Sequence, residues 1–194
     1  MDKIRVDERT ALIVVDVQND FCPGGALPVP EGERVVPIIN CYIDIFREAG
    51  APIFFTRDWH PKDHISFKGY GGIWPPHCVQ NTWGAAFHPA LKVGEEDVVV
   101  SKGCERLKEA YSGFEGTDLD ERLRRLCVAR LLVGGLATDY CVKNTVLDGL
   151  KKGYRVFLLE DAVRGVDVKV GDSVRAVEEM VKSGAVKITL KDLL

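Results

Sequence analysis

The stretch Leu131-Leu132-Val133-Gly134-Gly135-Leu136-Ala137-Thr138-Asp139-Tyr140-Cys141 reads as an apolar strand that breaks at glycines and leads into a helix. Similar short, β-rich apolar runs occur at 11–17, 52–56, 97–101, 130–134, 155–159 and 186–189, and predict six strands. Between several of them lie amphipathic segments of helical length, at 35–49, 118–126, 140–152 and 172–183. Strands that are apolar along nearly their whole length must be covered on both faces, and helices alternating with them supply the cover. The expectation is an α/β protein, a three-layer α-β-α arrangement around a six-stranded, mainly parallel sheet.

A chain of 194 residues, 46% of them hydrophobic, suits one domain over residues 1–194, and no linker-like stretch divides it. The net charge of −3 is spread over mixed signs, with no basic face for phosphates, so nucleic acid is not an expected partner. The charged opening Met1-Asp2-Lys3-Ile4-Arg5-Val6-Asp7-Glu8-Arg9 is unlike a secretory signal, and no apolar run has the length of a bilayer span. A cytoplasmic protein without a membrane partner is expected. Cysteines 22, 41, 78, 104, 127 and 141 are scattered without C-x-x-C pairing, which predicts free thiols rather than a disulfide framework or a cysteine-only zinc site.

Two stretches, 58–96 and 103–117, are too long for ordinary connections. The first holds all four histidines and all three tryptophans, a composition that argues for an ordered, functional segment.

Three residues stand where chemistry is plausible. Cys141 falls at the start of a helix, where unpaired N–H groups and the macrodipole favour a thiolate and can bind an oxyanion; the plainer alternative is a small residue packed on a helix face. Asp16 interrupts an apolar strand, so it needs a partner or a raised pKa, and either makes it a candidate base; otherwise it accepts backbone hydrogen bonds at a strand end. Lys102 follows Val98-Val99-Val100, a position where a solvated lysine is the commoner outcome. All three nevertheless fall at the carboxyl ends of expected strands, the edge where such sheets build sites.

A second constellation is Arg57-Asp58-Trp59-His60-Pro61-Lys62-Asp63-His64 followed by Trp74-Pro75-Pro76-His77-Cys78. If the strand runs on past Thr56, Asp58 and His60 point to one side and can share a cation. His77, held by the stiff Pro75-Pro76 pair, completes a set of two imidazoles and a carboxylate that leaves coordination positions open. His64 is a fourth ligand, a supporting group or a solvated loop residue.

With these residues in view, the chain resembles the nicotinamidase family of isochorismatase-like cysteine hydrolases over nearly its whole length. The resemblance is carried by Asp16-Val17-Gln18-Asn19-Asp20-Phe21, Gly24-Gly25-Ala26-Leu27, Arg57-Asp58-Trp59-His60-Pro61, Trp74-Pro75-Pro76-His77-Cys78, Lys102-Gly103, Tyr111-Ser112-Gly113-Phe114 and Gly135-Leu136-Ala137-Thr138-Asp139-Tyr140-Cys141. It implies an isochorismatase-like, Rossmann-like fold and a catalytic triad of Asp16, Lys102 and Cys141. It further implies an oxyanion hole from the N–H groups of Ala137 and Cys141, with a cis Leu136–Ala137 peptide. Asp58, His60 and His77 would hold one divalent metal, zinc foremost, with iron or manganese as alternatives, and His64 matches an additional metal-site histidine of some members. Phe21 and Trp74 would wall the substrate ring, with Leu27 and Tyr111 lining the same pocket.

The implied reaction is hydrolysis of nicotinamide to nicotinate and ammonia through a cysteine thioester, a step of NAD salvage, with pyrazinamide as a related carboxamide. The metal would anchor the ring nitrogen rather than make the nucleophile. An isochorismatase or a carbamoyl-amide hydrolase of the same superfamily is the alternative, and those relatives lack the Asp58, His60 and His77 set. A nucleotide-binding module fits poorly, because no G-x-G-x-x-G follows the first strand. The expected partner is the small-molecule substrate; a homo-oligomer is left open.

Overall fold

In the computed structural model, residues 3–194 are described; Met1 and Asp2, which open the charged N-terminal segment, lie outside the described residues. The strands are β1 (Thr10–Val15), β2 (Ile53–Asp58), β3 (Val98–Lys102), β4 (Arg130–Leu136), β5 (Arg155–Arg164) and β6 (Val186–Ile188). The helices are α1 (Val35–Glu48), α2 (Leu119–Arg125), α3 (Lys143–Lys151) and α4 (Asp172–Lys182). Every strand pairing is parallel, and the order across the sheet is β3-β2-β1-β4-β5-β6.

Strand alternation sorts the core into two layers. Leu12 and Val14 face α1, whose Ile39, Tyr42, Ile43 and Phe46 recur at three- and four-residue spacing on its buried side. Ala11, Ile13 and Val15 face the opposite layer, with Leu119 and Leu123 of α2, Val146 of α3 and Met180 of α4. Each fully buried large aliphatic or aromatic side chain contributes about 1.5–3 kcal/mol, so both layers carry stability. The strand order reverses between β1 and β4, and in such sheets a crevice opens beyond the carboxyl ends at that point. Asp16 ends β1 there and residues 137–141 follow β4.

Several boundaries differ from the periodicity reading. β1 stops at Val15 because Asp16 turns left-handed (φ +48°). β2 and β3 run on to Asp58 and Lys102, which pair in register. β5 continues to Arg164 past the polar Glu160-Asp161 pair by a bulge, so that Leu158 pairs with Val133 but Val163 with Gly135. The segment before α3 is a π-helical turn, Thr138–Val142, rather than the first turn of an α-helix. Gly135 must be glycine: its φ is +125°, and a Cβ would collide with the Val15 carbonyl. Segment 58–96 is tied by bridges between His60 and Val79, Phe67 and Trp74, and Gln18 and Phe87. No helix among the described residues is long and apolar enough to cross a membrane.

Candidate active site

At the carboxyl edge of the sheet, Lys102 lies fully buried between three groups. Its Nζ is 2.9 Å from Asp16 Oδ2 and 3.3 Å from Cys141 Sγ, and it donates to Asp58 Oδ1. A fourth contact, 3.3 Å to the Ala110 carbonyl, closes the ring around the ammonium. Thr56 Oγ1 donates to Asp16 Oδ1 at 2.6 Å, so both oxygens of that acid face a polar group. Asp16, Asp58 and Cys141 each present a ligand atom within 4.8 Å of the other two.

Burial decides most of the electrostatics here. It pushes the Asp16 carboxyl up, with Lys102 pulling the other way and the Asp58 charge adding to the rise. For Asp58 burial also acts upward, but Lys102 and His60 outweigh it and hold the carboxyl well below the usual range. Burial works against the Lys102 cation, yet the two carboxylates keep it firmly charged. The Cys141 thiol is pushed well above its ordinary range by burial, against the pull of Lys102. Desolvation thus opposes the thiolate that a helix end would favour.

The other carboxylate oxygen of Asp58 turns to the histidines. Oδ2 is 3.6 Å from His60 Nε2 and 4.0 Å from His77 Nε2, and all three side chains are buried. The far nitrogens are committed: His60 Nδ1 donates to the Gly103 carbonyl at 2.9 Å and His77 Nδ1 to the Pro75 carbonyl at 2.8 Å. Those bonds leave each Nε2 as a lone-pair donor aimed at a common point, the orientation that metal-bound imidazoles take from their backbone partners. Burial lowers the His77 pKa and so favours its neutral form; for His60 burial acts the same way but contact with Asp58 raises it overall. A carboxylate, two neutral-capable imidazoles and open positions suit a divalent zinc-type ion.

Beside Cys141 a narrow cavity is lined by Phe21, Leu27, Trp74, Tyr111 and Ala137, with Asp58 at its polar end. Trp74 Nε1 donates to Tyr111 Oη at 3.0 Å within this lining. The Leu136–Ala137 peptide is cis.

Residues 10–192 match the isochorismatase domain family. The chain belongs to the isochorismatase family. A nicotinamidase of Escherichia coli is 43% identical over 94% of this chain and 95% of its own length. The crystal structure of the pyrazinamidase of Pyrococcus horikoshii in complex with zinc is 54% identical, with a TM-score of 0.90 over 94% of this chain and 99% of that one. The yeast nicotinamidase bound to the inhibitor nicotinaldehyde is 29% identical, with a TM-score of 0.86 over 93% of this chain and 99% of that one.

Within this isochorismatase domain the structure brings Asp16, Lys102 and Cys141 into one cluster and Asp58, His60 and His77 into an adjoining one. It does not bring His64 into the second. The His64 ring stacks on His60 with centroids 4.2 Å apart, but Nδ1 accepts from Ser66 Oγ at 2.7 Å and Nε2 donates to the Lys108 carbonyl at 3.0 Å. Both His64 nitrogens are thus engaged away from Asp58, and the ring packs against His60.

Several contributors escaped the sequence reading. Val29, Tyr140 and Val166 also line the cavity, and Tyr140 packs edge-on against Trp74 with centroids 5.1 Å apart. The Asp20 carboxylate accepts from Ala26 N at 2.9 Å and Cys78 N at 2.7 Å, joining the loop before Leu27 to the segment that carries His77. The available signal was the polar run Gln18-Asn19-Asp20 set between apolar Val17 and Phe21.

Proposed function

We propose that this protein is a nicotinamidase that hydrolyses nicotinamide to nicotinate and ammonia, as a step of NAD salvage, with Cys141 as nucleophile, Asp16 as base and Lys102 as their charge partner. The observation that carries the reading is the adjacency of the two clusters: Asp58 gives one oxygen to Lys102 beside the thiol and the other to the paired histidines. Relatives that act on nicotinamide or pyrazinamide, matched over nearly the whole chain, support the same substrate class. The yeast relative's inhibitor pairs a pyridine ring with an aldehyde carbon, an electrophile to which thiols add.

Asp16 Oδ2 faces Lys102 by charge without an aligned hydrogen bond, which leaves a lone pair for the Cys141 proton. As that proton moves, the sulfur attacks the carboxamide carbon, and the Lys102 ammonium stabilises the negative charge at 3.3 Å from it. The N–H groups of Ala137 and Cys141 would receive the oxyanion. Return of the proton from Asp16 releases ammonia and leaves a thioester; Asp16 then activates the water that hydrolyses it. Phe21, Leu27, Trp74 and Tyr111 hold the flat ring and exclude water. Asp58, His60 and His77 would hold a divalent ion, most simply zinc, which would supply Lewis-acid character at the ring end of the substrate. The small-molecule substrate is the one partner this reading requires. One sheet with apolar layers on both faces supports treating the chain as a single domain, and six unpaired cysteines support a reducing, cytoplasmic setting.

Ammonia release from nicotinamide tests the reading. Turnover by the zinc-loaded protein that falls by several orders of magnitude in Cys141→Ala, with the fold retained, is the expected result. No turnover of nicotinamide, or residual turnover near that of the unmutated protein, overturns it.

A further inference from the structure

We propose that Gln18 is a positioning residue that fixes the backbone of Asp58, and with it the aim of the carboxylate shared by Lys102 and the histidines. The inference rests on the reading of Asp58 as a metal ligand.

The need for such a residue comes from the sheet. β1 and β2 pair as far as Val15 and Thr56, and Asp16 N then donates to the Thr56 carbonyl at 3.2 Å. There Asp16 turns left-handed and its chain leaves the sheet, while its own carbonyl is taken by Gln18 N at 2.8 Å. β2 runs on for two more residues. Its outer side stays paired, Arg57 with Ser101 and Asp58 with Lys102. Its inner side has lost its neighbouring strand in a region closed to water, where an N–H or C=O left unpaired is destabilising.

The Gln18 carboxamide fills that gap. Asp58 N donates to Gln18 Oε1 at 2.8 Å, and Gln18 Nε2 donates back to the Asp58 carbonyl at 2.8 Å. The second Nε2 hydrogen goes to the Ala85 carbonyl at 2.9 Å, and the whole side chain is buried. A side-chain amide thus continues the ladder for one residue after the strand has turned off. Asp58 is consequently gripped on both sides, by β3 and by Gln18, and its two oxygens are held toward different partners. An amide is required, because the position must accept one hydrogen bond and donate two. Glutamate would supply the acceptor without the donors, and methionine neither.

The test is zinc affinity, read by competition with a chromogenic chelator on metal-free protein, for the unmutated chain, Gln18→Glu, Gln18→Met and Asn19→Ala. Loss of a group that orients a metal ligand weakens binding by about 10- to 100-fold, which is the change expected for both Gln18 variants. Asn19→Ala removes the bond from Asn19 Nδ2 to the Trp83 carbonyl, 2.8 Å, in the same 79–86 segment without touching Asp58, and is expected to lower Tm while leaving zinc affinity unchanged. In the unmutated protein, the Gln18 side-chain NH2 protons are expected to exchange slowly and to shift in NMR spectra on zinc addition, a readout that needs no folded variant. Unweakened zinc binding by a folded Gln18 variant, an equal loss in Asn19→Ala, or amide signals indifferent to zinc each overturn the proposal. An unmutated chain that binds no zinc instead overturns the metal reading beneath it, and does so before any variant is compared.

Discussion

Lys102 Nζ lies 3.3 Å from Cys141 Sγ, and the same buried ammonium touches Asp16 and Asp58. Removing it would leave two buried carboxylates facing one another, and breaking a buried ion pair in this way costs about 3–5 kcal/mol of stability. Lys102→Ala should therefore unfold at lower temperature and lose turnover by on the order of 10²–10³-fold, the scale of a lost charge-stabilising donor. Alkylation of Cys141 by iodoacetamide at neutral pH should slow in step. Unchanged alkylation would separate Lys102 from the thiol.

Because burial holds the Cys141 thiol protonated beyond its ordinary range, its reactivity should climb with pH. The thiolate fraction, and with it the alkylation rate, is expected to keep rising across neutral pH and past the range where an exposed cysteine levels off. The same shift has a stability consequence. The native state retains the proton to higher pH than the unfolded chain, so this contribution is complete below the unfolded thiol value and is lost as pH rises toward the folded one. Stopped alkylation time courses on wild type and on Cys141→Ser isolate the site, and a plateau at ordinary thiol pH would contradict the assignment.

Gly103 bears on the metal cluster through space. Its φ is +60°, its carbonyl accepts from His60 Nδ1, and a Cβ there would strike the His60 ring. Gly103→Ala should cost about 1–2 kcal/mol for the left-handed backbone alone. Displacement of His60 should add a loss of zinc affinity of about tenfold or more. Metal content after dialysis against a weak chelator measures the second effect apart from the first, and full retention would show that the ring tolerates the shift.

Periodicity carried the fold because the strands are apolar on both faces and α1 repeats its buried positions every three or four residues. It could not carry the left-handed turn at Asp16, which depends on Thr56 and Gln18, nor the extension of β5. The Glu160-Asp161 pair ends the apolar run in sequence, but Asp161 is accommodated by Tyr42 Oη at 2.9 Å and Leu190 N at 3.0 Å, partners distant along the chain. The same limit explains His64. Its spacing from His60 is legible, whereas the Lys108 carbonyl that takes its Nε2 comes from the other long segment. Asp58 and His60 could be read together because both lie on one extended stretch, and spacing within a stretch is what a sequence displays directly.

The bond between Trp74 and Tyr111 joins the two long segments at the cavity wall, with Tyr140 5.8 Å from Tyr111 and 5.1 Å from Trp74, centroid to centroid. Burial pushes the Tyr111 hydroxyl up to about 12, so it is neutral through the working range and remains available to the indole N–H. Tyr111→Phe keeps the ring and removes only that acceptor, and a single neutral hydrogen bond contributes about 0.5–1.5 kcal/mol. If the bond serves to hold Trp74 flat against the substrate ring, KM for nicotinamide should rise about two- to tenfold with kcat little changed, since the reacting sulfur is untouched. Steady-state kinetics of the variant distinguish this from a part in the chemistry: a fall in kcat at unchanged KM would place Tyr111 among the groups that act on the reacting carbonyl.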